Sequence, residues 1–283
     1  MDDRILARLR CPVCAEPLTE TTAGTARALR CPRGHSFDIA RQGYVNLLAG
    51  RAPHSGDSAE MVAARAGFLA AGHYDAVAAA LATTAVRVAG SDAYPLVVDA
   101  GAGTGHYLAA VLAALPEAAG LALDFSKPAL RRAARAHSRA AAALADTWQR
   151  LPLADRSTSV LLNVFAPRNG PEFHRVLDPG GALLVVTPAA DHLTELVDAL
   201  DLLRVDPDKA DRVAGSLGAH FAEESATGHR ARLALTRAEV STLVGMGPSA
   251  WHADPRRLAA RIAALPEPVP VTLSVRLGVH RPR

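Results

Sequence analysis

From residue 96 onward, short apolar runs alternate with segments whose apolar residues recur at helical spacing. Strands that alternate with helices in this way are typical of a parallel, doubly wound α/β sheet, so we predict that fold class for the larger part of the chain. A separate apolar run at 271–279 predicts one late strand. The other predicted strands are 96–100, 120–124, 161–164 and 181–187, and the predicted helices between them are 106–115 and 128–137.

The first ninety residues follow a different pattern. Apolar residues alternate within 37–45, which predicts a strand and a turn that close a small N-terminal domain. A polar stretch punctuated by glycine and proline follows at 49–57 and predicts a linker, after which we expect helices near 58–71 and 74–89. The pattern therefore predicts an N-terminal domain at 1–50, a helical linker at 51–90 and an α/β domain at 91–283.

A glycine-rich turn separates the predicted strand 96–100 from the predicted helix 106–115. Glycine lets the backbone turn sharply and approach a ligand closely, and the first turn of a helix offers unpaired N–H groups. A dinucleotide and S-adenosylmethionine are both candidate ligands for such a loop. The turn has the sequence Asp99-Ala-Gly101-Ala-Gly103-Thr104-Gly105.

Acidic residues at the ends of three successive units favour S-adenosylmethionine over a dinucleotide. Asp99 would hold the amino group of the methionine part, Asp124 the ribose hydroxyls and Asp146 the adenine amino group. A dinucleotide accounts for the glycines and Asp124 but leaves Asp146 without a role. For each acid taken singly, a carboxylate that caps a turn at a strand end is the alternative.

All three cysteines lie within the first thirty-one residues, in a pattern typical of zinc ligands. Cys11 and Cys14 are separated by two residues, and Cys31 and His35 by three. Each pair supplies two ligands on one short turn, and a β-hairpin in the gap would bring the pairs together. The pattern predicts a zinc ribbon with a closed tetrahedral site, and buried thiols beside a surface histidine are the alternative.

Length and composition indicate two domains and argue against a membrane-spanning protein. The chain has 283 residues, of which 49% are hydrophobic, and this is enough for one large domain and a smaller one. No run of eighteen apolar residues predicts a membrane span, and the N-terminus lacks the pattern of a secretory signal. Cysteines arranged for a metal and not for disulfides favour the cytoplasm, so we expect a cytoplasmic protein without a membrane partner.

The formal charge of +3 is concentrated in the N-terminal domain, where residues 1–56 hold eight arginines and five acids. A basic patch on a small domain suggests contact with phosphates, although an ordinary solvated surface explains so small an excess equally well. Four basic residues also recur at four-residue steps along the predicted helix 128–137 and its flanks, and they form either a solvated face or an RNA contact. These residues are Lys127, Arg131, Arg135 and Arg139.

With the zinc motif and the glycine loop taken together, the chain resembles the 23S ribosomal RNA (guanine-N1)-methyltransferases over essentially its whole length. It is most similar to the branch that protects macrolide-producing actinomycetes against tylosin and mycinamicin. The resemblance is most specific in Cys31-Pro-Arg-Gly-His35 and its continuation to Leu48, Ala70-Ala-Gly-His-Tyr74, Asn163-Val-Phe-Ala-Pro-Arg-Asn169 and Met246-Gly-Pro-Ser-Ala-Trp-His252.

The resemblance implies a Rossmann-like class I methyltransferase domain preceded by the zinc ribbon. It implies zinc at the three cysteines and His35, and contacts of Tyr74, Gly103, Thr104 and His192 with S-adenosylmethionine. It also implies that the partner is 23S rRNA or a large-subunit precursor, which the zinc ribbon would grip without taking part in the chemistry. The oligomeric state stays open, a homodimer being one alternative.

Guanine N1 carries a proton at neutral pH and lies on the Watson–Crick edge, so the target must be unpaired or flipped and must lose that proton. We hypothesise that Asn163, or the backbone near 166–167, binds the guanine edge, while a turn asparagine is the alternative. The general base is left open among Glu172, His174, Asp191 and His252.

Three other functions stay as alternatives to a macrolide-resistance methyltransferase. A housekeeping enzyme would methylate a neighbouring guanine, a small-molecule methyltransferase would not need the zinc ribbon, and an RNA-binding protein would have an inactive methyltransferase fold.

Overall fold

A computed structural model describes residues 1–50, 56–90, 94–202, 215–247 and 254–283. Within those ranges, every helix is too short or too polar to span a lipid bilayer. The strands are β1 Thr19–Ala23, β2 Ala26–Arg30, β3 Ser36–Asp38, β4 Tyr44–Asn46, β5 Leu96–Ala100, β6 Ala119–Asp124, β7 Ala140–Leu144, β8 Thr158–Val164, β9 Leu177–Pro188, β10 Phe221–Leu235 and β11 Val269–Pro282. The helices are α1 Asp3–Leu6, α2 Ala59–Ala70, α3 Asp75–Val88, α4 His106–Ala114, α5 Lys127–Ala133, α6 Gly170–Val176, α7 Thr194–Leu200, α8 Arg237–Gly245 and α9 Pro255–Ala263.

The larger sheet has eight strands in the order β10-β11-β9-β8-β5-β6-β7-β4. The strands from β4 to β9 in this order run parallel, and β11 and β10 are added antiparallel beside β9. The parallel, doubly wound α/β sheet predicted from the sequence is confirmed. Strand β10 was not predicted from the sequence. It lies at the edge of the sheet, where most of its side chains are exposed, so it does not contain a continuous apolar run.

Two hydrophobic cores cover the two faces of this sheet. Successive side chains of a strand point to opposite faces, so Val97 enters one core while Leu96 and Val98 enter the other. Helices α3 and α4 pack on the first face. On the second face, Ile5 and Leu29 of the N-terminal region are buried in the same cluster as the strand residues.

The N-terminal ribbon consists of the β1–β2 hairpin with β3 paired to β2. The strand and turn predicted within 37–45 are present, because Ile39 forms an antiparallel bridge with Val45 and the Ala40 N–H donates to the Tyr44 carbonyl. The sequence did not predict that Tyr44 and Val45 also pair in parallel with Ala142 and Ala143 of β7, which extends the larger sheet by one strand. This second pairing buries both side chains. The division at residues 50 and 90 stays a prediction.

Helix α5 ends at Ala133, four residues before the end predicted from the sequence. Arg135 and Arg139 therefore lie beyond the helix, and the four basic residues do not form one helical stripe. The guanidinium of Arg139 donates hydrogen bonds to the carbonyls of Leu112, Leu115 and Ala118. It thereby satisfies carbonyls at the C-terminal end of α4, which have no partner inside the helix. Arg139 has a structural role here.

Candidate functional site

The three cysteines and His35 form a compact cluster at the start of the chain. Their ligand atoms all lie within 4.8 Å of one another. Cys14 Sγ is 3.7 Å from Cys31 Sγ, and the Nδ1 atom of His35 is 3.3 Å from Cys31 Sγ and 3.6 Å from Cys11 Sγ. Tetrahedral zinc with bonds of about 2.3 Å to sulfur places two sulfurs about 3.8 Å apart. The donor set and its spacing fit zinc, with Nδ1 as the histidine ligand.

The glycine-rich turn lies at the carboxyl end of β5, where ligands bind in open α/β sheets. Gly101, Gly103 and Gly105 all have positive φ, at 86°, 54° and 79°. A Cβ atom at position 101 would come within 2.4 Å of the Cβ atom of Ala166, so only glycine fits there. Gly105 caps α4, and a Cβ atom there would come within 2.9 Å of the Cα atom of Ala133. The loop is therefore shaped by these glycines.

Above this turn opens a cavity of about 520 Å³. A volume of this size suits a small-molecule ligand. Of the cofactor residues predicted from the sequence, Asp99, Gly105 and His192 are not among the described residues that line this cavity. The predicted residues that line it are Tyr74, Gly101, Gly103, Thr104, Asp124 and Asp146.

Asp99 is completely buried beneath the turn. Both of its carboxylate oxygens lack a hydrogen-bond partner among the described residues. Burial, together with the nearby charge of Asp124, raises the pKa of Asp99 to about 8. A buried acid without a partner is costly, and it gains most from a cationic group supplied by a ligand.

Asp124 ends β6 and faces the cavity. Its Oδ2 atom accepts a hydrogen bond of 2.7 Å from the backbone N–H of Gly103, and Oδ1 accepts one of 2.7 Å from Ser126. Burial raises the pKa of Asp124 and these backbone hydrogen bonds oppose that rise. A carboxylate has about four acceptor positions, so two remain for hydroxyl groups. Asp124 can therefore shape the loop and also bind a diol.

Asp146 lies two residues beyond the end of β7 and lines the cavity. Its Oδ1 atom accepts a hydrogen bond of 2.9 Å from the backbone N–H of Trp148, which closes a turn. The cap suggested as the alternative for each acid is therefore present. The Oδ2 atom of Asp146 accepts a hydrogen bond of 3.4 Å from Gln149 Nε2. The Trp148 side chain is 61% exposed at the cavity rim.

Tyr74 and His192 are neighbours although they are distant in the sequence. The Tyr74 hydroxyl lies 3.5 Å from His192 Nε2, and His192 Nδ1 accepts a hydrogen bond from the backbone N–H of Ser274. This acceptor role requires the proton to sit on Nε2 in the neutral imidazole. Burial raises the pKa of the Tyr74 hydroxyl, which is therefore a neutral group. His192 thus supports a residue of the cavity wall.

Asn163 is the penultimate residue of strand β8 and is fully buried. Its Nδ2 atom donates hydrogen bonds to the carbonyls of Ala100, at 3.2 Å, and Pro167, at 2.8 Å. These bonds tie the start of the glycine turn to the segment after β8. The side chain lies outside the described cavity lining, whereas the neighbouring Ala166 and Pro167 belong to it.

Arg65 and Phe165 are among the cavity residues that the sequence pattern did not indicate. Arg65 of α2 donates hydrogen bonds to Asp57 and, at 2.9 Å, to the carbonyl of Met246. Its Nη1 atom would be 3.6 Å from a Cβ atom built on Gly103, and it is the one arginine or lysine in the described lining. Phe165 lines the same cavity. Arg65 has no spacing signal, because it reaches the cavity through packing of α2 beside the turn, and Phe165 directly follows the end of β8.

The described residues among the general-base candidates lie outside the cavity lining. Glu172 pairs with Arg175, and Asp191 pairs with Arg230. His174 faces the ring of His220. His252 lies outside the described residues. Among the described candidates, none lines the cavity.

The chain matches two protein families. The zinc-ribbon family described as "RlmA, N-terminal" matches residues 9–55, and the family described as "Methyltransferase domain" matches residues 97–181. The zinc cluster lies within the first match and the glycine turn lies within the second. The orphaned Asp99 carboxylate and the turn that excludes any Cβ at Gly101 fit S-adenosylmethionine.

Three relatives that align with most of this chain are named for the same activity. The chain is 67% identical to a protein of Micromonospora griseorubida named for 23S rRNA (guanine-N1)-methyltransferase activity, over all of both chains. It is 53% identical to the 23S rRNA (guanine(748)-N1)-methyltransferase of Streptomyces fradiae, over 100% of this chain and 99% of the relative. A Bacillus subtilis protein named for the same (guanine-N1)-methyltransferase activity is 31% identical, with 88% and 89% covered.

Proposed function

This chain belongs to the family of 23S rRNA (guanine-N1)-methyltransferases, and we propose that its target is the guanine equivalent to nucleotide 748, the position named for its Streptomyces relative. The enzyme uses S-adenosylmethionine and holds zinc in its ribbon domain. The identity of 53% over 99% of that relative carries the proposal, because it extends over the zinc ribbon as well as the methyltransferase domain.

The charges of the cavity suggest how the methyl donor is oriented. Asp99, which lies under the glycine turn and outside the lining, offers for the ammonium group a carboxyl without a hydrogen-bond partner among the described residues. Arg65, in the lining, offers a guanidinium for the carboxylate. Asp124 has acceptor positions for the ribose hydroxyls, and we assign the adenine amino group to Asp146. Thr104, Gly101 and Gly103 form the floor between them, with Gly105 beginning helix α4. Tyr74, supported by His192, closes the side of the cavity.

When bound, S-adenosylmethionine supplies a methyl group on a positively charged sulfur, which is already activated towards attack by nitrogen. The protein's contribution is therefore mainly positioning, together with removal of the N1 proton of guanine. Asn163 fixes the segment after β8 against the glycine turn through its two hydrogen bonds. We assign it a positioning role in place of direct contact with the base, and the segment at Ala166 and Pro167, which lines the cavity, is then the part that would meet the guanine edge.

The zinc ribbon contributes RNA binding in this proposal. A closed site of four protein ligands leaves no coordination position for a substrate. The excess of arginine over acid in residues 1–56 suits the phosphate backbone, and binding should weaken with added salt. Because the substrate is ribosomal RNA, we place the reaction in the cytoplasm. A methyl group on the wall of the exit tunnel would hinder macrolides of the tylosin and mycinamicin type, which makes resistance the proposed consequence.

The test is transfer of labelled methyl from S-adenosylmethionine to unmodified 23S rRNA, free and in the large subunit, followed by primer extension. N1-methylguanine blocks Watson–Crick pairing, so reverse transcriptase should stop one nucleotide before the target. RNA with adenine at that position is the control and should give no stop. A stop at a neighbouring guanine would assign the housekeeping specificity, and transfer only to a free small molecule would overturn the RNA substrate.

A further inference from the structure

Phe165 has an unusual backbone for a bulky residue. Its φ is +53°, in the left-handed region that aromatic side chains rarely enter. Among the described residues, the others with positive φ that are not glycine are Ala15, Arg156, Leu193 and Asp201, and none of these lines the cavity. Such a conformation costs free energy and persists only where the surroundings enforce it, most often at a functional site.

The side chain of Phe165 is apolar and yet 41% exposed. Its ring stacks on His192 with an interplanar angle of 22° and a centroid distance of 6.1 Å, and it lies 6.2 Å from the ring of Tyr74. The backbone N–H of Phe165 donates a hydrogen bond of 3.1 Å to the carbonyl of Val186. The ring is therefore held in one orientation while much of its surface faces solvent.

The residues next to Phe165 locate its ring relative to the glycine turn and the cavity. Ala166, the next residue, is the one that a Cβ atom at Gly101 would strike. Val164, Phe165, Ala166 and Pro167 all line the cavity. An aromatic surface thus lies beside the glycine turn. In the sheet, β8 and β7 lie on either side of β5 and β6, so Phe165, after β8, and Asp146 and Trp148, after β7, come from opposite ends of this group of strands.

The contacts of the Phe165 ring with His192 and Tyr74 leave 41% of the residue exposed, so part of an aromatic surface stays open at the cavity. A purine that has left its stack requires such a surface, because stacking on an aromatic side chain replaces the lost base stacking. We propose that Phe165 is the platform on which the flipped target guanine stacks, with His192 and Tyr74 holding the ring and the left-handed backbone aiming it at the cavity. This inference rests on the proposed function.

The experiment compares the unaltered protein with Phe165→Leu and Phe165→Trp on an RNA hairpin that contains the target guanine. Phe165→Leu keeps an apolar side chain and removes the aromatic face, whereas Phe165→Trp keeps a face. The matched control is Tyr94→Leu, which removes an aromatic residue that is 58% exposed and lies outside the described cavity lining. Each variant is measured for kcat and KM on RNA, for Kd of S-adenosylhomocysteine, and for its circular dichroism spectrum.

We expect Phe165→Leu to lower kcat/KM for RNA about 10-fold or more, which is the scale of one lost base–aromatic stack. Its Kd for S-adenosylhomocysteine and its spectrum should match those of the unaltered protein, and Phe165→Trp should restore most of the activity. In a hairpin with 2-aminopurine at the target position, the unaltered protein should quench the fluorescence of the flipped base more strongly than Phe165→Leu does.

A Phe165→Leu variant with unaltered kcat/KM would overturn the platform. So would a parallel loss of cofactor affinity, since it would place the ring in the cofactor site, and so would an equal loss in Tyr94→Leu. Failure of the unaltered protein to methylate any 23S RNA would instead overturn the proposed function, and the inference with it. The two failures are therefore distinguishable in the same set of assays.

Discussion

The carboxylate of Asp124 accepts a hydrogen bond of 2.7 Å from the backbone N–H of Gly103 and so joins the end of β6 to the glycine turn after β5. The same carboxylate accepts a second hydrogen bond from the N–H of Ser126. One side chain therefore holds the loop on which the cofactor would rest and also presents its remaining acceptor positions to the cavity.

Replacement of this acid should weaken the cofactor site. Asp124→Asn has the same size, but its amide group directs N–H donors towards a backbone donor, so at least one of the two loop hydrogen bonds is lost. We expect the Kd for S-adenosylmethionine to rise about 10-fold or more, the scale of a hydrogen bond to a charged group, as measured by isothermal titration calorimetry. Asp201→Asn, at an exposed residue whose left-handed backbone suits asparagine, is the control. Equal affinities in the two variants would contradict this role.

The glycine turn allows a comparison of two substitutions that carry the same backbone strain. Gly101 and Gly24 both have positive φ, at 86° and 61°, so alanine is strained at either position. Only at Gly101 would the new Cβ meet another atom closely, 2.4 Å from Ala166, whereas at Gly24 no described atom lies within 4 Å. We expect Gly24→Ala to bind S-adenosylmethionine normally and Gly101→Ala to lose at least 10-fold in affinity. Similar losses in both variants would mean that strain alone is responsible.

The stability of the protein should depend on pH through Asp99. Its pKa in the folded chain is about 8, raised by burial, against about 4 in an unfolded chain. Between these values the folded state binds one proton more than the unfolded state, so the free energy of unfolding should fall as pH rises from about 4 to about 8. Asp99→Asn mimics the neutral acid and should remove this part of the dependence. Urea unfolding of both proteins at pH 5 and pH 8 measures it, and parallel changes would contradict the assignment.

Arg65 should bind the carboxylate of the methyl donor. Arg65→Met keeps the length of the side chain and removes its charge, so we expect the Kd for S-adenosylmethionine to rise about 10-fold. Methylthioadenosine lacks the amino acid group, and its affinity should therefore be unchanged by the substitution. Arg87→Met, at an exposed residue of α3, is the control. A loss of affinity for both ligands would indicate that Arg65 shapes the cavity through Asp57 and Met246 without meeting the carboxylate.

Zinc removal should destabilise the whole chain. The ribbon residues Ile5, Leu9 and Leu29 are buried in the same cluster as the strand residues of the larger sheet, and Leu9 forms a bridge with Leu153. Because this core is shared, loss of zinc should lower the melting temperature of one cooperative transition. Differential scanning calorimetry with and without a chelator measures the effect, and Cys14→Ser should reproduce it with reduced zinc content. A separate low-temperature transition, with the main one unmoved, would contradict the shared core.

Local spacing in the sequence was sufficient to predict much of this protein. The ligands of the zinc cluster lie on two short turns, so Cys11, Cys14, Cys31 and His35 could be identified from their separations alone. The same holds for the glycine turn and for Asp124, since parallel strands bring their carboxyl ends to one edge of a sheet. These predictions depend only on the geometry of a few consecutive residues and on the strand order typical of a doubly wound fold.

Other features depend on contacts between elements that are distant in the sequence, and these were decided by tertiary packing. Strand β4 joins the larger sheet by pairing with β7, and Arg65 reaches Gly103 because α2 packs beside the turn. Asn163 has the residue type expected for base recognition, yet its position inside β8 buries it. Phe165 is likewise an ordinary apolar residue in the sequence. Its positive φ and its exposed ring beside the cavity belong to the folded chain, because local spacing does not specify the backbone conformation that long-range packing imposes.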